Sequence, residues 1–151
     1  MLFRSADISV SAHIPDRYVE STEQRLDIYR RIAAIRTRED REDVLDELID
    51  RYGEPPKSVM ALLDVAMLRS EAVAVGVSEI VQRDNRLKLV LDQFRAESVL
   101  KVCNLAKYRR CLALNAGSTP SLTLTLAPGT NVLNAALALV EELKIADSEQ
   151  S

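Results

Sequence analysis

A charged amphipathic helix ends in the segment Glu47-Leu-Ile-Asp-Arg-Tyr-Gly-Glu-Pro-Pro56. One side of this helix is an apolar stripe at helical spacing, formed by Val44, Leu45, Leu48, Ile49 and Tyr52. The other side is charged and carries Asp43, Asp46, Glu47 and Asp50, with Arg51 at its edge. Gly53 predicts a left-handed C-terminal cap, and the two prolines prevent the helix from continuing. The segment therefore predicts a sharply bounded charged surface and contains no catalytic constellation.

The residues on either side of this segment predict a mainly helical first half. Ser21-Thr-Glu-Gln24 has capping-box spacing and predicts a first helix that continues to about residue 37. The charged helix covers about 39–52, and Pro56 suits the first turn of a third helix that runs to about 75. Before these helices, residues 8–14 alternate between apolar and polar and predict a short strand that Pro15 ends.

The second half predicts strands and helices in the order ββα-ββα. The first hairpin joins 77–84 to 86–91 through Asp84-Asn85, and a helix follows over about 96–110. The second hairpin joins 111–116 to 121–126, and a final helix begins after Asn131 and runs to about 146. This order predicts a four-stranded, mostly antiparallel sheet with both helices on one side, and hence an α+β fold.

The length of 151 residues favours one domain. We expect residues 1–151 to form a single domain, with a helical part over 7–76, a sheet-containing part over 77–146 and a polar tail over 147–151. Because the chain carries so little chemistry of its own, we expect it to be a fragment of a much larger protein.

Composition and charge exclude several classes of protein. The net charge is −3 and the pI is near 5.3, which argues against nucleic acid as the main partner. No secretion signal and no run of about 18 apolar residues is present, so the sequence predicts a cytoplasmic protein without membrane contact. Cys103 and Cys111 lack metal-ligand spacing and are predicted to be free thiols.

The sequence offers few candidates for catalysis or metal binding. His13 is the only histidine, and a structural or surface role is favoured over that of a base. The acidic run 39–50 lacks the spacing of a calcium loop and is interpreted as a solvated helix face. Basic residues cluster near 30–41 and over 107–110, but acidic residues interleave the first cluster. We therefore expect no catalytic residue, no cofactor and no metal, and we do not expect direct nucleic-acid binding.

Several motifs in order resemble the C-terminal domain of the bacterial transcription-repair coupling factors, the Mfd family. The series starts with Ile14-Pro-Asp-Arg-Tyr-Val-Glu20 and Gln24-Arg-Leu-Asp-Ile-Tyr-Arg-Arg-Ile32. It continues with the segment 47–56 and ends near Gly76-Val77, so that the resemblance covers about residues 7–95. That family commonly has Phe where this chain has Tyr52, which adds a hydroxyl that must be hydrated or bonded.

The resemblance implies a non-catalytic regulatory domain of a DNA-repair translocase. In that family the domain packs against a UvrB-like module of the same polypeptide and covers the surface that UvrA binds. The residues that match its contacting helix are Glu47, Asp50 and Arg51, which lie at i, i+3 and i+4 on one helix surface. UvrA and RNA polymerase would be indirect partners. The phosphate-binding loop of the parent translocase, G-x-x-x-x-G-K-[ST], is absent from this chain.

Two alternatives to this interpretation stay open from the sequence. The chain could be a general protein-interaction domain that contacts RNA polymerase or another repair partner. The face with Glu47, Asp50 and Arg51 could also be solvated only, with Glu47 and Arg51 forming an i,i+4 pair within the helix.

Overall fold

The computed structural model describes residues 5–8 and 10–149, and these residues form two compact units. The helical unit comprises residues 10–70, and the sheet unit comprises residues 5–8 together with 71–149. In sequence the division falls shortly before Gly76, where the pattern predicts the change from helices to strands. The prediction that residues 1–151 form a single domain stays a prediction.

Three helices carry the helical unit: α1 (Thr22–Ala33), α2 (Arg38–Tyr52) and α3 (Lys57–Ala74), whose last residues belong to the sheet unit. The core side chains are aliphatic and nearly free of solvent contact; they include Val19, Ile28, Ile35, Leu48, Val59 and Leu63. The three predicted helices are confirmed, although α1 ends at Ala33 rather than near 37. The carbonyls of Arg30 and Arg31 there accept the amide of Ala34, and Ile35 continues as buried loop.

The N-terminus of α2 carries a capping box that the sequence analysis missed. The Thr37 hydroxyl accepts the Asp40 amide at 3.0 Å, and the Asp40 carboxylate accepts the amides of Thr37 and Arg36 at 3.2 and 3.0 Å. The motif Thr37-x-x-Asp40 could have revealed it. At the box predicted for α1, Ser21 accepts the Gln24 amide, and the Gln24 side chain instead bonds Tyr52.

The capping box makes the stability of the helical unit depend on pH. Hydrogen bonds from the amides of Arg36 and Thr37 lower the pKa of Asp40 below its ordinary value of 3.8. Because the pKa is lower in the folded state than in the unfolded state, the ionised carboxylate stabilises the fold at pH values above the ordinary pKa. That contribution disappears as the pH falls through the folded-state pKa. We expect Asp40→Asn to lower the urea midpoint at pH 7 and the difference from the native chain to shrink below about pH 4.

Asp43→Asn is the matched control for that measurement, because Asp43 is an exposed carboxylate on the same helix outside the box. It should leave the urea midpoint nearly unchanged at both pH values. If the urea midpoint of Asp40→Asn were lower than that of the native chain by the same amount at pH 7 and pH 3, ionisation of Asp40 would not be the source of the stabilisation.

Gly53 ends α2, but it is not the left-handed cap predicted from the sequence. Its φ is 84° and its ψ is −168°, and its amide donates to the Ile49 carbonyl at 3.0 Å. This conformation is far from that of a left-handed helical residue, whose ψ is about +47°. Only glycine adopts it readily, so the residue type was predicted correctly and the conformation was wrong.

The sheet unit contains a five-stranded sheet in the order β1-β2-β3-β5-β4. Its strands are β1 (Ser5–Asp7), β2 (Val77–Arg83), β3 (Arg86–Leu91), β4 (Leu112–Asn115) and β5 (Ser121–Thr125). The four predicted antiparallel strands are confirmed, and the order ββα-ββα gives the predicted α+β fold. The predicted number of strands was wrong, because β1 adds a parallel edge strand beside β2.

The strand predicted over 8–14 was also wrong for the residues that the structure describes; Ser9 lies outside them. The amides of His13 and Ile14 donate to acceptors within the helical unit rather than to a neighbouring strand. The His13 amide donates to the Ser58 carbonyl at 3.2 Å, and the Ile14 amide donates to the Tyr29 hydroxyl at 2.8 Å. Alternation alone could not show that these donors had other acceptors.

One face of the sheet is apolar and the other is mostly polar. Apolar side chains align across four strands in the row Ile80, Leu89, Leu122 and Leu114. The opposite face carries exposed Arg83, Arg86 and Lys88. The same unit contains α4 (Ala96–Cys103) and α5 (Val132–Ser148), whose buried side chains complete its core.

The helix predicted over 96–110 was too long. Asn104 ends α4, and the following residues form tighter turns in which the Tyr108 amide donates to the Leu105 carbonyl at 2.9 Å. Asn131 caps α5 as predicted, since its side chain accepts the Asn134 amide at 3.0 Å. That helix continues to Ser148, beyond the predicted end, and Asp147 bonds Arg95 at 2.5 Å.

Candidate functional site

The predicted site residues lie on the exposed side of α2, and the structure brings two of them together. The Glu47 carboxylate is 3.9 Å from the Arg51 guanidinium, which is the i,i+4 pair foreseen within the helix. Glu47 also pairs with Arg31 of α1. Both partners of that contact keep 38% of their side-chain surface exposed, so the pair contributes about 0–1 kcal/mol.

Asp50 is placed differently from Glu47 and Arg51. It is exposed, and its carboxylate has no hydrogen bond or ion pair with any of residues 5–8 and 10–149. A carboxylate in this position keeps its full capacity to accept hydrogen bonds from a cationic group of another molecule. The face therefore combines an internally paired acid with a free acid one helical turn away.

Arg31 has a part in this site that its sequence neighbours did not reveal. In sequence it belongs to a basic cluster, whereas in the structure it joins α1 to α2 through Glu47. No local motif could have revealed this contact, because it depends on how two helices pack. Glu47 therefore lies between two cations, Arg31 of α1 and Arg51 of its own helix.

Two tyrosines fix the C-terminal end of α2, where the charged face ends. The Tyr18 hydroxyl donates to the Gly53 carbonyl at 2.7 Å, and its ring lies 5.8 Å from that of Tyr52. Burial, together with the negative charge of Glu54, raises the pKa of Tyr18, so the hydroxyl stays a donor at neutral pH. The Arg51 guanidinium lies 5.1 Å from the centre of the Tyr52 ring, a cation–π distance.

The hydroxyl of Tyr52 is bonded rather than left to solvent. It donates to the side-chain oxygen of Gln24 at 3.2 Å, which adds a second link between α1 and α2. The change from the phenylalanine common in the resembling family is therefore accommodated within the helical unit. The end of α2 is held on two sides, and its charged face is presented by a well-connected helix.

Apolar side chains are also exposed on these two helices. Ile49 is 38% exposed on α2, and Leu26 is 50% exposed on α1. Ile49 belongs to the apolar stripe of α2 but lies at its exposed edge, whereas Leu48 of the same stripe is buried. Exposed apolar area matters here, because three surface charges alone provide little affinity for a partner.

The basic clusters are partly paired with acidic residues of the chain. In the first, Arg41 donates to the Asp64 carboxylate at 2.8 and 3.2 Å, and Arg31 pairs with Glu47. In the second, Lys107 lies 2.5 Å from Glu142, and this hydrogen bond raises the pKa of Lys107. Both clusters nevertheless keep exposed arginines outside these pairs, among them Arg30 and Arg110.

The other residues that could take part in catalysis or metal binding are distant in sequence from the charged face of α2. His13 is exposed in a loop, and both cysteines are free and part-buried. No group of three or more histidine, cysteine or acidic residues that could hold a metal occurs within residues 5–8 and 10–149. None of the helices in this described part is long and apolar enough to cross a membrane.

Comparison with known proteins gives consistent matches to one family. A family profile described as the TRCF domain matches residues 8–102. The transcription-repair-coupling factor of Bacillus subtilis is 32% identical over 87 residues, which cover 58% of this chain and 7% of that protein. The Escherichia coli factor of the same name is 34% identical over 74 residues, which cover 49% of this chain and 6% of that protein.

A solved structure extends the likeness beyond the sequence match. The crystal structure of the C-terminal domain of a transcription-repair coupling factor superposes with a TM-score of 0.83. It covers 97% of this chain and 95% of the solved chain, at 22% identity, and it therefore supports the fold alone. The chain spans only a small part, 6–7%, of the two curated relatives named above.

Proposed function

Because the chain belongs to the TRCF domain family, we propose that it is a non-catalytic regulatory domain of a transcription-coupled DNA repair factor. In this proposal it packs against a UvrB-like module of the same polypeptide through α2 and hides the surface that UvrA binds. The parent polypeptide would be a DNA translocase that acts on stalled RNA polymerase in the bacterial cytoplasm.

The observation that carries the proposal is the free, exposed Asp50 on a helix that neighbouring side chains hold in place. Arg31 pairs with Glu47, and the Tyr52 ring lies beside Arg51, so both of these charges have neighbours that restrain them. A charged face whose side chains are already ordered loses less entropy on binding. This arrangement suits a contact with a complementary charged surface of a second folded module.

The expected binding free energies favour a weak contact, which becomes effective because both modules belong to one polypeptide. Two modules on one polypeptide meet at an effective concentration of about 1 mM, so a contact with a Kd of about 10 μM is closed about 99% of the time. Charge pairs on an exposed face supply about 0–1 kcal/mol each, and such a contact needs about 7 kcal/mol. We therefore propose that exposed apolar groups such as Ile49 contribute to the same interface.

Reversing the charges of this face should open the contact. In the intact repair factor, Asp50→Arg combined with Arg51→Glu replaces attraction by like-charge repulsion, which costs several kcal/mol across an interface. A loss of about 100-fold in affinity would raise the open fraction from about 1% to about 50%. We expect UvrA binding, measured by surface plasmon resonance, to rise by the same factor of about 50.

The control variant is Arg86→Glu, which reverses an exposed arginine on the polar sheet face instead. It should leave UvrA binding at the level of the unchanged factor. Circular dichroism should show that both variants keep the native fold. UvrA binding that stays low after reversal at 50 and 51 would contradict a role for this face, and equal release by Arg86→Glu would show that the effect is not specific to it.

A further inference from the structure

We propose that the helical unit contains a phosphate-binding pocket formed by the loop before α1 and the start of α3. The pocket has a volume of about 440 Å³. Its polar lining consists of Ser11, His13, Arg17, Lys57 and Ser58, and two prolines complete the wall. It shares no residue with the charged face of α2, and the proposal does not depend on the regulatory function.

The lining offers hydrogen-bond donors and positive charge but no carboxylate. Arg17 and Lys57 are both exposed, and neither has an ion-pair partner within residues 5–8 and 10–149. The nearest acid in sequence, Asp16, does not line the pocket and lies 3.5 Å from Arg25. A chain with net charge −3 therefore presents a local concentration of positive charge at this point.

The two walls of the pocket are joined by the backbone. The His13 amide donates to the Ser58 carbonyl at 3.2 Å, which ties the loop to the first turn of α3. The Tyr18 and Val19 amides both bond the Pro15 carbonyl, so the loop also closes on itself between Pro15 and Val19. Because these bonds hold the loop and the start of α3 together, little ordering of the backbone is needed when a ligand binds.

The number and type of donors favour phosphate over a carboxylate. A guanidinium offers five N–H groups, an ammonium three, and each serine hydroxyl one more. A carboxylate has two oxygens and cannot use them all, whereas a phosphate group presents three or more acceptor oxygens and up to two charges. Ser11 Oγ lies 3.5 Å from His13 Nδ1, so these two groups already face each other within the pocket.

The source of the phosphate is either a free or terminal phosphate group or the backbone of a nucleic acid. Both present tetrahedral phosphate oxygens, although a backbone phosphate has fewer free oxygens and less charge. The pocket volume exceeds that of one phosphate, which leaves space for an attached group. The pocket is lined by two cationic side chains, Arg17 and Lys57, which suit one phosphate group better than an extended backbone. The structure therefore assigns a single phosphate group to the pocket.

The test uses the complete 151-residue chain and inorganic phosphate as the probe. We expect a saturable change in the backbone NMR signals of His13 and Ser58, with a dissociation constant in the millimolar range and no response to chloride at equal ionic strength. Arg17→Gln with Lys57→Gln should weaken this binding at least tenfold. The conservative pair Arg17→Lys with Lys57→Arg should retain most of it.

A matched control removes the same charges elsewhere. Arg30→Gln with Lys88→Gln changes one exposed arginine and one exposed lysine outside the pocket and should leave the dissociation constant within a factor of two. No saturable response up to about ten times the expected millimolar constant would overturn the proposal. So would an equal loss in the control, because binding would then follow net charge alone.

Two further ligands distinguish the source and the chemical class. Binding of a short oligonucleotide that lacks terminal phosphates, if it is lost in Arg17→Gln with Lys57→Gln, supports a backbone phosphate. Binding that requires a 5′-phosphate supports a free or terminal phosphate group. An acidic peptide that binds the pocket more tightly than inorganic phosphate would overturn the assignment to phosphate.

Discussion

Replacing Leu89 with alanine is expected to destabilise the sheet unit by about 2–5 kcal/mol, the range typical of leucine removed from a packed core. Leu89 lies on the central strand β3, is fully buried, and is paired with Ile80 on one side and Leu122 on the other. Its removal leaves a cavity that two flanking strands must close together, and a hydrogen-bonded sheet has little freedom to do so. Urea unfolding followed by circular dichroism measures the loss.

Leu100→Ala is the control for this prediction. Leu100 is a leucine of the same unit, but it lies on α4 and is 50% exposed. Its replacement should change the free energy of unfolding by less than about 0.5 kcal/mol. Similar losses for both variants would mean that the aligned apolar row is not the core of the unit.

Replacing Gly76 with alanine is expected to be similarly severe, for a backbone reason. Gly76 has a φ of 83°, a region in which a side chain costs about 1–3 kcal/mol. A Cβ atom there would also lie 2.6 Å from the Gln93 carbonyl oxygen, a backbone atom that cannot turn away. The Gly76 carbonyl accepts the amides of Asp92 and Gln93, so relief of the clash would break the link between β2 and the end of β3.

Gly129→Ala separates the cost of the positive φ from the cost of the clash with the Gln93 carbonyl oxygen. Gly129 has nearly the same φ, 80°, and a Cβ atom there meets no atom within 4 Å. This variant should therefore lose only the conformational part, and Gly76→Ala should lose at least about 1 kcal/mol more. Thermal unfolding of both variants measures the difference, and equal losses would show that the Gln93 carbonyl moves aside without cost.

Local patterns were sufficient to predict most helices and both hairpins. The helical stripe around Leu48 and the turn at Asp84-Asn85 each specify structure from neighbouring residues, and both are confirmed. The family was predicted from motif order and is confirmed by the match over residues 8–102. The position of β1 could not be predicted in this way, because a three-residue strand is defined by its partner Glu79–Val81 far along the chain.

The candidate site was only partly accessible to sequence reasoning. The i,i+4 relation of Glu47 and Arg51 follows from helical geometry, and their contact was foreseen. The pair between Arg31 and Glu47 depends on how α1 packs against α2, which no single segment encodes. The pocket formed by His13, Arg17 and Lys57 was missed for the same reason, since a loop and a distant helix start provide its walls.

The parallel pairing of β1 with β2 also affects the order of folding. Ser5 lies opposite Glu79, so this pairing closes a loop on the order of 70 residues, at an entropic cost of about 4 kcal/mol. A ribosome must synthesise the whole helical unit before the partner strand exists, whereas the hairpin of β2 and β3 can close within microseconds. We infer that β1 joins the sheet after the hairpin of β2 and β3 has closed, and that the helical unit has time to fold before it does.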